Sequence, residues 1–171
     1  MLIEKEITKN FEDYHQFHRL YLSSFPKEER IPIKHLMMRA EESELIACYD
    51  EKLFCGFYAT LTFGDVTHIL FLAVDDALRG RGYGSQILKQ ISHRYPNHRI
   101  ILDIEAEDPS APNNEQRIRR KAFYAKNGYT ESGIAYTWRN VPYQILIKNG
   151  CITEKEFDAF WDNLDGRRKK E

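Results

Sequence analysis

Apolar and polar positions alternate along this chain in two rhythms, and the rhythm changes often. Residues 1–9 read as a first strand. From Phe11 to Phe25 the apolar positions Phe11, Tyr14, Phe17, Leu20 (or Tyr21) and Phe25 fall near helical spacing. Pro26 ends that helix, and PKEER leads into a short helical segment, Ile33 to Ala40. Glu44–Tyr49 and Lys52–Thr62 have the composition of strands, with Asp50-Glu51 as the turn of a hairpin. Gly64-Asp65 turns the chain into Thr67–Val74, whose unbroken apolar core predicts a strand covered on both faces.

The second half continues the mixture. A helix over Gly84–Tyr95 puts Ile87, Leu88, Ile91 and Tyr95 on one stripe, and Pro96-Asn97 stops it. Arg99–Glu105 is a strand with Ile100, Leu102 and Ile104 on one face and Ile101, Asp103 and Glu105 on the other. After the turn-rich loop Asp108–Asn113 comes a helix, Asn114–Lys126, with Asn127-Gly128 placed as its C-cap. Two strands follow, Tyr129–Trp138 and Tyr143–Ile147. Thr153 and Glu156 then form a capping box before a helix with the stripe Phe157, Phe160, Trp161 and Leu164. That stripe reads as packing, and GRRKKE (166–171) as a solvated, disordered basic tail. Without a repeat or linker, a single domain over 1–165 is expected.

Composition narrows the class. Hydrophobic residues at 42% and charged residues at 30% are an ordinary globular mix, and a net charge of −1 gives no global field toward nucleic acid or a membrane. The longest apolar run, Ile69–Val74, is too short to span a bilayer. The start MLIEKEITKN lacks a signal-peptide core, and Cys48, Cys55 and Cys151 form no C-x-x-C pair, so a reduced cytoplasm is expected. Cys48 and Cys55 read as small buried hydrophobes. His15 and His18, three apart on a helix, lack the further ligands a metal would need, so no metal site is expected.

The candidate chemistry lies in ILFLAVDDALRGRGYGSQILKQI, Ile69 to Ile91. Glycines at 80, 82 and 84 let a ligand approach the backbone, and the helix that follows offers unpaired N–H groups and a positive dipole end. That is an anion site, suited to phosphate. A Walker-type nucleotide loop is excluded because no lysine follows at the required position. A dinucleotide-binding loop needs G-x-G-x-x-G and an acidic residue about 20 positions on. Asp103 lies 21 residues after Gly82, yet the third glycine comes one residue early and five residues, Asp75–Arg79, separate strand from turn. A purely structural turn is the remaining alternative.

The spacing does match [Q/R]-x-x-G-x-[G/A], here Arg79-Gly80-Arg81-Gly82-Tyr83-Gly84. Leu72-Ala73-Val74 sits five residues before Arg79, and Phe123-Tyr124-Ala125-Lys126-Asn127-Gly128-Tyr129 follows about 40 residues on. With these three elements in order over residues 66–130, the chain resembles the GNAT superfamily of acetyl-CoA-dependent N-acetyltransferases. The resemblance implies an α+β, three-layer α/β/α fold. Its mixed, mostly antiparallel central sheet would carry a splayed parallel strand pair at the cofactor site and helices on both faces.

It also implies a function: direct transfer of the acetyl group of acetyl-CoA to a primary amine of a small molecule or peptide. A non-catalytic acetyl-CoA-binding sensor or scaffold is the alternative. In the family, the strand matching Leu72, Ala73 and Val74 is bulged and offers backbone groups to the pantetheine arm. The turn Arg79, Gly80, Arg81, Gly82, Tyr83, Gly84 and Ser85 would hold the pyrophosphate, with the two arginines adding charge. The tyrosine matching Tyr124 would protonate the leaving thiolate.

A lysine-like amine has a pKa near about 10.4 and must lose a proton before it attacks. Glu105 is the candidate base, with Glu107 and Asp108 as rivals. The chain departs from the family pattern at Arg117, where many members carry an asparagine; Asn113 and Asn114 lie about one turn earlier. The run Arg117, Arg119, Arg120, Lys121 reads as a solvated face or as a few charges near the CoA 3′-phosphate, and nucleic-acid binding is not expected from it. The acceptor side is expected from the first helices, the Phe25–Pro32 link and the strands near Tyr136 and Trp138. The aromatics there, with Glu28, Glu29 and the Glu105–Asp108 cluster, suit a cationic amine. Homodimerisation is left open.

Overall fold

A computed structural model describes residues 1–37 and 42–168. The strands are β1 (Ile3–Glu6), β2 (Ser43–Asp50), β3 (Leu53–Phe63), β4 (Val66–Val74), β5 (Arg99–Glu105), β6 (Thr130–Trp138) and β7 (Val141–Lys148). The helices are α1 (Tyr14–Ser24), α2 (Ile33–Met37), α3 (Tyr83–Arg94), α4 (Asn114–Lys126) and α5 (Glu154–Arg168). The strands are hydrogen-bonded in the order β1-β2-β3-β4-β5-β7-β6. One pairing is parallel, β4 with β5, and runs from Val66↔Arg99 to His68↔Ile101. The mixed, mostly antiparallel sheet expected from the sequence is the one observed. The end of the helix expected over Ile33–Ala40 lies outside the described residues. Helix α5 takes in residues 166–168 of the expected tail, and 169–171 lie outside the description.

The chain forms two compact units, Met1–Thr62 with Ile69–Pro96, and Phe63–His68 with Asn97–Glu171. In the first unit the strand register sorts side chains cleanly. Leu45↔Ala59 and Ala47↔Phe57 face α1, whose Phe17 ring meets Phe57 edge-on at 4.8 Å. Tyr21 and Phe25 do the same to Phe71, at 5.2 and 4.8 Å. These rings form one core, in which T-shaped contacts add to simple burial. The opposite face carries Glu44↔Thr60 and Ile46↔Tyr58 and receives α3. Tyr95 bonds Thr60 at 3.0 Å, and Arg94 grips Glu44 at 2.6 and 2.7 Å and Glu4 at 2.9 Å. This unit is therefore a helix–sheet–helix sandwich. The link before α2 is pinned by the Tyr21 hydroxyl, which accepts from Ile31 N–H and donates to Ile31 C=O, both at 2.8 Å.

In the second unit β5 pairs with β7 and β7 with β6. The ends of its helices follow the sequence signals. Tyr129 N–H donates to Tyr124 C=O (3.1 Å) past Gly128 at φ 90°, the left-handed C-cap. Glu156 N–H donates to Thr153 Oγ1 (3.1 Å) and Thr153 N–H to Glu156 Oε2 (2.9 Å), a closed capping box. Phe160 and Trp161 of that helix pack on His68; Leu164 lies outside the side chains described. Arg99 joins Asp65 and Glu156 at 2.9 and 3.0 Å.

Several of these contacts hold carboxyls below their ordinary values. Hydrogen bonds from Arg99 do so for Asp65, and the Thr153 N–H followed by Arg99 for Glu156. Burial pushes Glu44 the other way, but Arg94 and Tyr95 outweigh it. Groups depressed on folding bind more protons when unfolded, so their contribution is complete above the ordinary carboxylate range and is lost as pH falls through it. Urea midpoints should accordingly hold level down to about pH 5 and then fall. Arg99→Met should reduce that acid-dependent loss, and a midpoint that rose on acidification would contradict the assignment.

Candidate active site

The site residues of the first unit begin on β4. A two-residue turn at Gly64-Asp65 between β3 and β4 would put Phe63 opposite Val66, and regular pairing would then bring Cys55 opposite Val74. Instead, Asp75 N–H donates to Cys55 C=O at 2.8 Å, so β4 carries one residue more than β3 over this stretch: a β-bulge. Its location is given by Gly56. A Cβ built there would lie 2.1 Å from the Ala73 carbonyl oxygen and 3.1 Å from Val74 Cα. The Ala73 carbonyl has tipped out of the sheet plane into space that only glycine leaves empty. Ala73 itself is buried, whereas Leu72 and Val74 are half-buried on the other side of the strand.

Beyond the bulge, Asp75 organises a 3-10 turn, Asp76–Leu78, by accepting Ala77 N–H on its side chain (2.9 Å) and Leu78 N–H on its carbonyl (2.9 Å). This turn occupies the five-residue gap counted in the sequence. Arg79 leaves it in extended backbone, and its guanidinium pairs with Asp76 at 2.7 Å. Gly80 and Gly82 then adopt φ of 77° and 84°. Open space surrounds both, so glycine is required by backbone conformation and not by crowding. Gly82 is the N-cap of α3 without a side-chain cap, and the first helical bond is Gln86 N–H to Gly82 C=O at 3.1 Å. The N–H groups of Tyr83, Gly84 and Ser85 therefore head the helix with no intrahelical acceptor. The helix starts at Tyr83, one residue before the expected Gly84. Tyr83 donates its hydroxyl to Asp50 at 2.7 Å, and that bond pushes the phenol up to about 12. Arg81 is exposed.

The second unit holds Glu105 and Tyr124. Glu105 ends β5, and its Oε2 accepts from Arg117 (2.7 Å) and Asn113 (3.3 Å). Arg117 is 8% exposed and also donates to Asn113 Oδ1 (2.9 Å) and Ala106 C=O (3.0 Å). It is a buried anchor, which corrects the solvated face expected for Arg117: a strand-end carboxylate and a loop carbonyl draw it inward. Of the rival carboxylates, Glu107 faces Lys121 at 3.9 Å. Asp108 accepts from the Ser110 N–H and hydroxyl, which hold its carboxyl below the ordinary value. Asn114 is committed to Asp108 N–H at 2.7 Å.

Tyr124 stands seven residues after Arg117, two turns along α4 on the same face. Its ring lies edge-on to Phe123 and Tyr129. Burial raises the phenol above its ordinary value, partly offset by Arg120. Its hydroxyl has no hydrogen-bond partner among the described residues.

Two features escaped the sequence reading. Gly56 had a signal, since a lone glycine inside a strand marks a bulge or a close backbone approach. The other is the bond of His68 Nε2 to Asp103 at 2.9 Å, with the Tyr136 hydroxyl on the second Asp103 oxygen. A contact so distant in sequence had none. Cys48 and Cys55 are buried as expected, and burial pushes the Cys48 thiol far up, away from nucleophilic use. Among the described residues no cluster of three or more metal-ligating side chains occurs, and no helix is long and apolar enough to cross a membrane.

Bulged strand, glycine turn on a helix N-terminus and tyrosine-bearing helix follow one another as in an acetyltransferase. The family model for the GNAT acetyltransferase domain matches residues 41–131, and the chain belongs to that family. Solved structures agree in fold. A GNAT acetyltransferase-family protein from Bacteroides thetaiotaomicron superposes with a TM-score of 0.77 at 23% identity over 95% of each chain. The aminoglycoside 6′-N-acetyltransferase of Enterococcus faecium gives 0.64 at 18%, over 85% of this chain and 96% of that one. A GNAT acetyltransferase from Elizabethkingia anophelis with acetyl-CoA bound gives 0.61 at 14%, over 87% and 98%. No curated protein matches the chain.

The bulge yields a direct test. Gly56→Ala should destabilise the protein by about 1–3 kcal/mol, because backbone atoms must move to admit the methyl group. Gly80→Ala, which strains only a positive φ, should cost about 1 kcal/mol. Urea denaturation of the two variants measures both, and wild-type stability in Gly56→Ala would refute the close approach.

Proposed function

We propose that the protein is an N-acetyltransferase that passes the acetyl group of acetyl-CoA directly to a primary amine of a small molecule or peptide. The observation that carries this reading is the glycine turn, with two left-handed glycines delivering three unpaired N–H groups at the head of α3. Gly80, Gly82, Gly84 and Ser85 present backbone to the pyrophosphate, and Arg79 and Arg81 supply charge beside it. Tyr83, tied to Asp50, fixes the turn. Leu72, Ala73 and Val74 offer the pantetheine arm backbone groups that the bulge releases from regular pairing.

The amine nitrogen attacks the thioester carbonyl; the C–N bond forms and the C–S bond breaks. Glu105 takes the amine proton, directly or through a water. Arg117 and Asn113 fix that carboxylate through Oε2, leaving Oε1 for the proton. Tyr124 gives its hydroxyl proton to the departing thiolate. A phenol keeps its proton at neutral pH, and no protein acceptor competes for it among the described residues.

Tyr124→Phe should lower kcat about 100-fold while leaving KM for acetyl-CoA within about twofold. Glu105→Gln should also lower kcat, with the loss shrinking at alkaline pH, where more amine is already neutral. Release of CoA thiol in the presence of a primary-amine panel measures both. Unchanged turnover in Tyr124→Phe would remove it as the acid. Thermal stabilisation by acetyl-CoA without thiol release from any amine would overturn the reading.

A further inference from the structure

Register places Glu105 opposite Tyr143 and Tyr143 opposite Tyr136, so these three side chains share one sheet face. Asp103 and Trp138, each two residues along, join them. The face thus carries two carboxylates beside three aromatic rings, all within the second unit. Tyr136 and Tyr143 are stacked, 5.4 Å apart at 12°, and Trp138 meets Tyr143 edge-on. Tyr136 and Trp138 remain 36% and 38% exposed, side by side with Tyr143 on this face. The bank already attracts a cation, since the Arg139 guanidinium lies 4.5 Å over the Trp138 ring.

Asp103 differs from Glu105 in what holds it. His68 Nε2 contacts one oxygen, and the Tyr136 hydroxyl donates to the other. His68 is 4% exposed and packs against Phe160 at 6.2 Å and Trp161 at 5.1 Å, so the imidazole is held in place. Burial would lift the Asp103 carboxyl, but the facing imidazole and the two hydrogen bonds outweigh it and lower its pKa. A carboxylate so held stays charged and does not serve as a base. A carboxylate has about four lone-pair sites, of which two are used here, and a quarter of the Asp103 side chain remains exposed.

We propose that Asp103, with the faces of Tyr136 and Tyr143, binds a second, non-reacting ammonium group of the acceptor, so that the substrate is a diamine or polyamine. The proposal rests on acetyl transfer at Glu105. Same-face neighbours on a strand stand about 7 Å apart, which sets the distance between the reacting nitrogen and the bound cation.

The test compares 1,5-diaminopentane with n-pentylamine, in steady-state turnover and in calorimetric binding with CoA present. The diamine should be favoured about tenfold in kcat/KM, through KM, and about tenfold in Kd. Asp103→Asn should bring both ratios to near one. Tyr143→Leu, which leaves the carboxylate and its two donors in place, should lower them as well. Equal kcat/KM for the two amines in the wild type, or ratios unchanged in both variants, would overturn the proposal while acetyl transfer stood. Preferential binding of the diamine, lost in Asp103→Asn, with neither amine acetylated would support the cation site and refute acetyl transfer.

Discussion

One close approach governs the first unit: the Ala73 carbonyl occupies the space where any residue but glycine at 56 would carry a Cβ. A strand that paired regularly to its end would have all its N–H and C=O groups spoken for. The extra residue in β4 breaks that regularity at Leu72–Val74, just before the chain enters the 3-10 turn. Everything downstream inherits its direction from that break: Asp75, which caps the turn, the two left-handed glycines, and the exposed head of α3. The same bulge keeps the aromatic core intact, because Phe71 and Ala73 still point into it.

Elements governed by local rules were legible. The glycine turn before α3 is legible at 80 and 82, though not its positive φ, and so are the C-cap at Gly128 and the box of Thr153 with Glu156, since each depends on residues within a few positions. Strand β5 and helix α4 matched to the residue, because alternation in one and turn formers around the other leave little freedom. The 3-10 turn at Asp76–Leu78 is invisible in the sequence, as three residues are too few to show a period. Arg117 was misplaced for a different reason. A cationic run looks solvated in sequence, and only the fold shows that one member meets a strand-end carboxylate 12 residues earlier. The His68–Asp103–Tyr136 contacts join residues 33 to 35 positions apart, beyond any spacing rule.

The second unit handles buried polarity by concentrating it. Asp103 gathers a histidine and a tyrosine, and Glu105 an arginine and an asparagine, so two neighbouring carboxylates are held by separate sets of partners. Such segregation holds the two carboxylates independently of one another, even though both project from the same strand. His68 Nδ1, buried without a hydrogen-bond partner among the described residues, is the group left over from this arrangement. An unsatisfied ring nitrogen persists only where the surrounding packing fixes the side chain firmly.

Arg117 and Glu105 also constrain how this sequence can diverge. Either residue replaced alone leaves a largely buried charge without its directly bonded partner, and breaking such a pair costs far more than the pair contributes. A lineage could therefore exchange the arginine for a neutral side chain only if the carboxylate, or the loop carbonyl at Ala106, found a new donor in the same step. Single substitutions at these positions would be purged, while a coordinated double change would pass. The two residues are expected to travel together through descent as one inherited character.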